Sequence, residues 1–297
     1  MGSYPTPPSA NDPRYESGYS PEILPPEQGY GYVPQPEPEQ RRARRSGLSW
    51  ASAPATYLLV GINCAVYLLM TLTGSSPFEP STGQLLHWGA DHAGLVLLAG
   101  QWWRIVTAMF VHVGIFHIGV NMWCLWNLGL LAEPLMGFWG LIAVYVLTGA
   151  AGNLLSVAHS FLFPIYDSGH PVYAVGAGAS GAIFGIAGAL IVLLKSPRLP
   201  VPQFELRKLR KSVIWFAAIN LVFPFLVNFG ANVMHAGLQI DISAHVGGLA
   251  CGLLFAAPMV PRLGVPRNQF TLRLRMAVGI VTGVLVLFAF FLAQFPR

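Results

Sequence analysis

Three short polar clusters interrupt long apolar stretches, and together they hold the groups that peptide-bond hydrolysis needs. Ser180 sits in Gly176-Ala177-Gly178-Ala179-Ser180-Gly181-Ala182-Ile183-Phe184-Gly185. His245 sits in Ala244-His245-Val246-Gly247-Gly248, with Gly252 four residues further on. His112, His117 and Asn121 make the third cluster. A serine hydroxyl is a poor nucleophile until a base takes its proton. A neutral imidazole can take that proton and later return it to the leaving amine. The tetrahedral intermediate then requires donors for its oxyanion. His117 and Asn121, four apart and so on one helix face, can donate with their side chains, and Ser180 with its backbone N–H.

Each cluster also has a plainer reading. An intramembrane His or Asn is often an interhelical hydrogen-bonder, and Gly, Ala and Ser are the ordinary residues of close helix packing in lipid. A GxSG string is weak by itself. Position adds to it: Ser180 is expected roughly 5 Å below the start of its span, near a helix N-terminus whose unpaired N–H groups face developing negative charge. Gly248 and Gly252 form a GxxxG that admits a second backbone.

The usual third catalytic member is an acid that orients the base. Acids in the apolar part are Glu79, Asp91, Glu133, Asp167, Glu205 and Asp241. Glu205 falls in a loop on the opposite side. Glu133 lies about 18 Å below Asn121 by helical rise. Asp241 precedes His245 by four residues and could lie one turn above it as a third catalytic member, while a cap on the helix that carries His245 is the favoured role. The reading is therefore a Ser180–His245 dyad.

The elements that must position these groups follow from composition. Of the 297 residues 54% are hydrophobic and 10% charged, against about 25% charged in soluble domains; mean hydropathy is +0.55. Lipid is the expected solvent. A span needs about 20 apolar residues, and seven segments qualify, near 54–73, 115–135, 138–158, 177–195, 212–231, 242–260 and 276–295. The expected fold class is all-α, a seven-helix polytopic membrane protein. Three regions are expected: a disordered tail over 1–46, a six-helix catalytic core over 47–260, and a basic loop with a seventh helix over 261–297. The tail carries ten prolines and five tyrosines, cannot bury enough apolar surface to order itself, and has no signal-peptide pattern.

The net charge of +5 and pI near 9.3 do not point to nucleic acid. With the N-terminus in the cytoplasm, 15 of the 17 basic residues fall on the inner side and only Arg104 and Arg297 on the outer, a strong positive-inside asymmetry. Spans 2, 4 and 6 then run inward, so all three polar clusters lie toward the outer face. Cys64, Cys124 and Cys251 lie in apolar stretches without CxxC spacing, so neither a disulfide framework nor a zinc site is expected. His87, His92, His159, His170 and His235 fall in or beside outer loops and read as solvated or capping residues. A metalloprotease would need HExxH, which is absent from the sequence. A transporter would place its polar groups at mid-membrane, not at one face.

These residues, in this order and spacing, resemble the rhomboid family of intramembrane serine proteases over residues 54–260. The matching motifs are Trp103-Arg104, His112-x4-His117-x3-Asn121, Gly178-Ala179-Ser180-Gly181, and Ala244-His245 with Gly247 and Gly248. The last span resembles the extra helix of some members. The resemblance implies Ser180 as nucleophile and His245 as base, with His117, Asn121 and the Ser180 backbone binding the oxyanion. It implies His112 as a structural histidine above the site, and Trp103 and Arg104 as stabilisers of a first outer loop lying partly in the membrane. Glu133 becomes a buried acid tying down the inner end of span 2. Phe184 replaces a frequent tyrosine; its ring can still pack on His245, without the hydroxyl. The implied activity is cleavage of substrate transmembrane segments near the outer face, without metal or cofactor, by a monomer in a bacterial plasma membrane. The other reading within this resemblance is a non-catalytic membrane-protein binder, which lacks the serine or the histidine; both are present here.

Overall fold

The computed structural model describes residues 53–196, 199, 201–234, 240–262 and 266–295; the expected disordered tail over 1–46 lies outside them. The order begins with α1 (Pro54–Leu72), α2 (Thr82–His87), β1 (Asp91–His92), α3 (Arg104–Thr107) and α4 (Ile115–Leu162). Then come β2 (Ile165–Asp167), β3 (His170–Val172), β4 (Val175–Gly176), α5 (Ser180–Leu193), α6 (Gln203–Met234), α7 (Ile242–Ala256) and α8 (Arg267–Leu292). Among the described residues, five helices are long and apolar enough to cross a membrane: Pro54–Leu72, Ile115–Leu162, Gln203–Asn228, Ile242–Met259 and Asn268–Leu292. This is a polytopic helical membrane protein.

Two helices depart from the expected spans for clear reasons. α4 runs continuously where two spans were expected, but Gly137 inside it has φ 71° and ψ 172°. Glycine takes that conformation without a Cβ clash, and Pro134 just before it removes a helical N–H. The chain therefore reverses within α4, giving segments on either side of residue 137. α5 has only 14 residues, about 21 Å by helical rise, less than the roughly 30 Å hydrocarbon core. It begins at Ser180, not at 177 as the apolar run suggested. Gly178 has φ +129° and donates its N–H to the Ala108 carbonyl at 2.9 Å, so the residues before Ser180 are held out of the helix.

α5 packs most extensively against α7 and α4, and glycine sets the spacing. A Cβ on Gly248 would lie 1.9 Å from the Gly181 carbonyl oxygen, and one on Gly252 would lie 2.0 Å from that of Gly185. On the other face of α5, a Cβ on Gly185 would meet Thr148 Oγ1 at 1.9 Å. Tyr145, Leu125, Ile186, Leu190 and Phe255 fill the fully buried core around this contact.

The connection between α1 and α4 is irregular backbone tied down by polar side chains from the helices. Asn153 donates to the Ile105 carbonyl at 2.8 Å, and the Tyr145 hydroxyl to that of Met109 at 3.3 Å. Asn63 donates to the Tyr145 hydroxyl at 2.9 Å. Non-helical backbone at membrane depth is tolerable only where protein satisfies its polar groups. At the other end of the molecule, Glu133 is 3% exposed. It accepts from the Ala55 N–H at 2.9 Å, the Thr56 N–H at 2.9 Å and the Thr56 hydroxyl at 2.8 Å. A carboxylate from α4 thus caps the N-terminus of α1, whose own N-cap residue, Ala53, supplies no side-chain acceptor.

Three substitutions test these contacts, read as thermal unfolding in detergent. Gly252→Ala drives a methyl into the α5 backbone and is expected to cost about 1–3 kcal/mol. Gly279→Ala, with nothing within 4 Å of the added Cβ, is expected to be neutral or to gain up to about 1 kcal/mol from helix propensity. Glu133→Gln replaces an acceptor by an NH2 group facing N–H donors and is expected to cost about 1–3 kcal/mol.

Candidate active site

Ser180 is the first residue of α5, with Ala179 at the N-cap. Its backbone N–H therefore belongs to the unpaired set at a helix start. The approach to it is an extended segment. β4 pairs antiparallel with β1, placing Asp91 opposite Gly176 and His92 opposite Val175. The chain then turns at Gly178 and enters α5.

His245 lies one turn into α7, whose start is fixed by Asp241: the Asp241 carboxylate accepts from the Ala244 N–H at 3.0 Å. The imidazole is 6% exposed and stacks on Phe184, with ring centroids 4.3 Å apart and planes 12° apart. Phe184 is one turn below Ser180 on the same face of α5. The backbones meet at the same level, since a Cβ on Gly181 would lie 3.3 Å from the Ala244 carbonyl oxygen. Nδ1 of His245 meets no hydrogen-bonding partner among the described residues. Asp241 is engaged as a helix cap.

The third cluster closes the site from α4. His117 lies against the turn before Ser180: a Cβ on Gly178 would come within 2.6 Å of His117 Cε1. With φ +129° as well, only glycine suits that position. Asn121, 5% exposed, donates through Nδ2 to the His117 carbonyl at 2.8 Å and keeps a second N–H on the same nitrogen. His112 is fully buried, with its ring 5.3 Å from that of His117. Its Nε2 accepts from the Ala179 N–H at 3.4 Å, while Nδ1 faces the Phe110 carbonyl at 3.2 Å. This pairing makes Nδ1 the protonated nitrogen and ties the turn before Ser180 to the loop before α4.

Trp103 and Arg104 lie away from this centre. Arg104 is 7% exposed and donates to the Leu86 and Ala90 carbonyls at 2.7 and 2.8 Å and to Gln101 Oε1 at 2.7 Å. Its guanidinium lies 4.5 Å from the Trp103 ring centroid. Glu133 caps α1 at the opposite end. Among the described residues no group of three or more His, Cys, Asp or Glu side chains is placed to hold a metal ion, and the three cysteines are unpaired. His92 accepts from the Leu95 N–H and meets Tyr173 edge-on. His159 packs on Phe163, and His235 lies outside the described residues.

The sequence reading passed over several residues that hold the site. Asn63, Tyr145 and Asn153 anchor the connection between α1 and α4, and a polar side chain inside an apolar span is the signal that marks them. A cavity of about 580 Å³ opens beside the N-terminus of α7, lined by Ser156, Ser160, Asn228, Asp241 and Ser243 among others.

The Rhomboid domain family matches residues 99–262. The chain is 32% identical over 244 residues to Rhomboid protease GluP of Bacillus subtilis, covering 82% of this chain and 41% of that protein. It is 29% identical over 258 residues to Rhomboid protease AarA of Providencia stuartii, covering 83% of this chain and 86% of that one. Rhomboid-like protease 2 of Toxoplasma gondii is 30% identical over 199 residues, covering 66% of this chain and 61% of that one. The chain thus spans about two fifths of the Bacillus protein and most of the Providencia protein. With the match extending over more than half of its length, the chain belongs to the rhomboid family.

Proposed function

We propose that this protein is an intramembrane serine endopeptidase that cleaves membrane-protein substrates in or near their transmembrane segments. The observation that carries the reading is the stacking of His245 on Phe184, one turn below Ser180 on the same helix. It brings an imidazole against the helix that Ser180 begins, one turn from that serine. Ser180 Oγ attacks the substrate carbonyl carbon while His245 takes the hydroxyl proton. The oxyanion takes hydrogen bonds from the Ser180 N–H and from the His117 and Asn121 side chains. The C–N bond then breaks, His245 returns the proton to the leaving amine, and an acyl-enzyme remains. Water, activated by the same imidazole, releases the new carboxylate and frees Ser180.

The supporting parts have separate tasks in this reading. His112 and Gly178 shape the turn before Ser180. Trp103 and Arg104 hold the first outer loop, Glu133 the start of α1, and Gly181 the contact with α7. Hydrolysis by a serine and an imidazole calls on neither metal nor cofactor.

The topology belongs to the same proposal. Counting the two arms of α4 separately and including the short α5 gives seven membrane helices, a core over 47–260 and an added helix over 261–297. The cytoplasmic side is the one carrying Lys195, Lys208, Arg210, Arg273 and Arg275, by the positive-inside rule. The N-terminal tail lies on that side, the site opens toward the extracytoplasmic face, and the protein acts as a monomer in the plasma membrane.

The test is proteolysis of a model transmembrane substrate by purified protein, with fluorophosphonate labelling of Ser180 in parallel. Ser180→Ala and His245→Ala are each expected to reduce cleavage by about 10³-fold or more. Residual cleavage by Ser180→Ala near the parent rate would sink the nucleophile assignment. Asp241→Ala is expected to lower stability by about 1 kcal/mol through loss of the cap while retaining cleavage; loss of kcat with an intact fold would restore a triad. Phe184→Ala frees the imidazole and is expected to lower kcat about tenfold or more with a smaller change in KM, whereas Phe184→Leu keeps apolar contact and recovers part of the rate.

A further inference from the structure

At the end of the molecule where Glu133 caps α1, a groove opens between the turn at Gly137 in α4 and the first turns of α8. Its volume is about 780 Å³, within the roughly 300–1,000 Å³ of small-molecule sites. Met136, Phe138, Trp139, Leu274 and Val278 give it apolar walls. Among the described residues that line it, Arg275 alone is charged. Two glycines leave it open: a Cβ on Gly137 or Gly279 would meet nothing within 4 Å. Leu274 reaches across to the second arm of α4, its Cδ1 3.8 Å from where a Cβ on Gly140 would lie.

The position of the groove decides what suits it. α8 buries Ala277 and Val281 in the core and turns Leu272, Met276 and Ile280 outward. Its apolar run begins at residue 276, directly after Arg275, so Arg275 stands where hydrocarbon gives way to headgroups. Trp139 on the facing wall is 73% exposed, and tryptophan is enriched at that level of a bilayer. Water gains little from an apolar cavity, whereas an acyl chain matches the walls at Phe138, Leu274 and Val278. Charge narrows the choice further. Arg275 is exposed, while Arg273 already donates to the Pro258 carbonyl. Glu133, the acid nearest the groove in sequence, is buried and holds the start of α1. A guanidinium binds a phosphate through paired N–H groups. A zwitterionic headgroup would bring its own cation, and no acid among the described lining residues is there to receive it. A cation between membrane helices at headgroup depth therefore complements a lipid with net negative charge.

We propose that this groove binds an anionic phospholipid, with an acyl chain along Phe138, Leu274 and Val278 and the phosphate on Arg275, and that the bound lipid braces α8 against the turn of α4. Gly137 and Gly279 supply the room for the chain. The site is remote from Ser180 and His245, so it stands or falls separately from the proposed chemistry.

The test uses the full-length purified protein, stripped of lipid in a neutral detergent. It reads the thermal unfolding midpoint and the lipid retained per chain in native mass spectrometry. The probes are phosphatidylglycerol, phosphatidylcholine with the same acyl chains, and inorganic phosphate. Phosphatidylglycerol is expected to raise the midpoint saturably and to be retained by the chain. Phosphatidylcholine is expected to need about fivefold more for the same shift, the worth of one cation at a headgroup, and inorganic phosphate to give no shift. Arg275→Gln is expected to erase the preference between the two lipids, and Arg275→Lys to keep it. Gly279→Leu fills the groove from α8 and is expected to lose retention of both. Lys211→Gln, an exposed cation of α6 outside the groove, is expected to leave the preference unchanged. Equal stabilisation of the parent by the two lipids overturns the proposal, as does a preference that survives Arg275→Gln in full. Stabilisation by inorganic phosphate matching that by phosphatidylglycerol overturns it in favour of a free-anion site. Retention of both lipids by Gly279→Leu at the parent's level overturns it as well; if that variant fails to fold, the two Arg275 variants decide.

Discussion

The close approach of α5 to α7 is the contact on which the rest of the molecule depends. Gly181 and Gly185 present bare carbonyls to Gly248 and Gly252, so the two backbones touch without intervening side chains. Lipid offers no hydrophobic incentive for helices to associate. The association must come from dispersion at short range, which demands glycine. The same approach brings the start of α7 to the start of α5 and sets the imidazole of His245 on Phe184. Site geometry and helix packing are here one contact.

A second constraint follows from the short α5. At about 21 Å it leaves the chain before it as non-helical backbone, and the connection between α1 and α4 is non-helical in the same way. The cost of buried amide groups is met by polar groups from the spans and from the loop itself. His112 and Ala108 bind the turn before Ser180, Asn153 and Tyr145 bind the loop before α4, and Arg104 binds the loop's two carbonyls. These side chains cost free energy in hydrocarbon unless partnered, and here each partner is a backbone group that would otherwise be unsatisfied. The irregular backbone and the polar residues packed on it therefore stabilise each other. Glu133 plays the corresponding part at the opposite end by capping α1.

Much of the helical architecture is legible in the residues themselves. Apolar runs mark α1, both arms of α4 and α7 to within a few residues, because each residue's transfer free energy is local; α6 and α8 each begin nine residues before the apolar run, in basic and polar sequence that hydropathy does not register. Asp241 at the start of an apolar run reads as a cap, and it is one. The beginning of α5 is misread by three residues, since Gly176, Ala177 and Gly178 are as apolar as a helix requires. What keeps them extended is pairing with Asp91 and a bond to Ala108, both remote in sequence. The roles of Asn63, Tyr145 and Asn153 were passed over for the same reason: an apolar span with one polar residue tells that a partner exists, not which one.

The sequence by itself determined the solvent of the chain, the approximate helices, and the residue types from which a serine–imidazole site can be made. It also settled where glycine occurs at four-residue spacing. Each of these depends on a residue's own chemistry or on neighbours within one helical turn. Only the tertiary structure decided that Ser180 begins its helix, that His245 lies flat on Phe184, and that Asp241 is spent on a cap. These are outcomes of non-local backbone approach at a few ångströms, and hydropathy, which sums residues one at a time, carries no record of them.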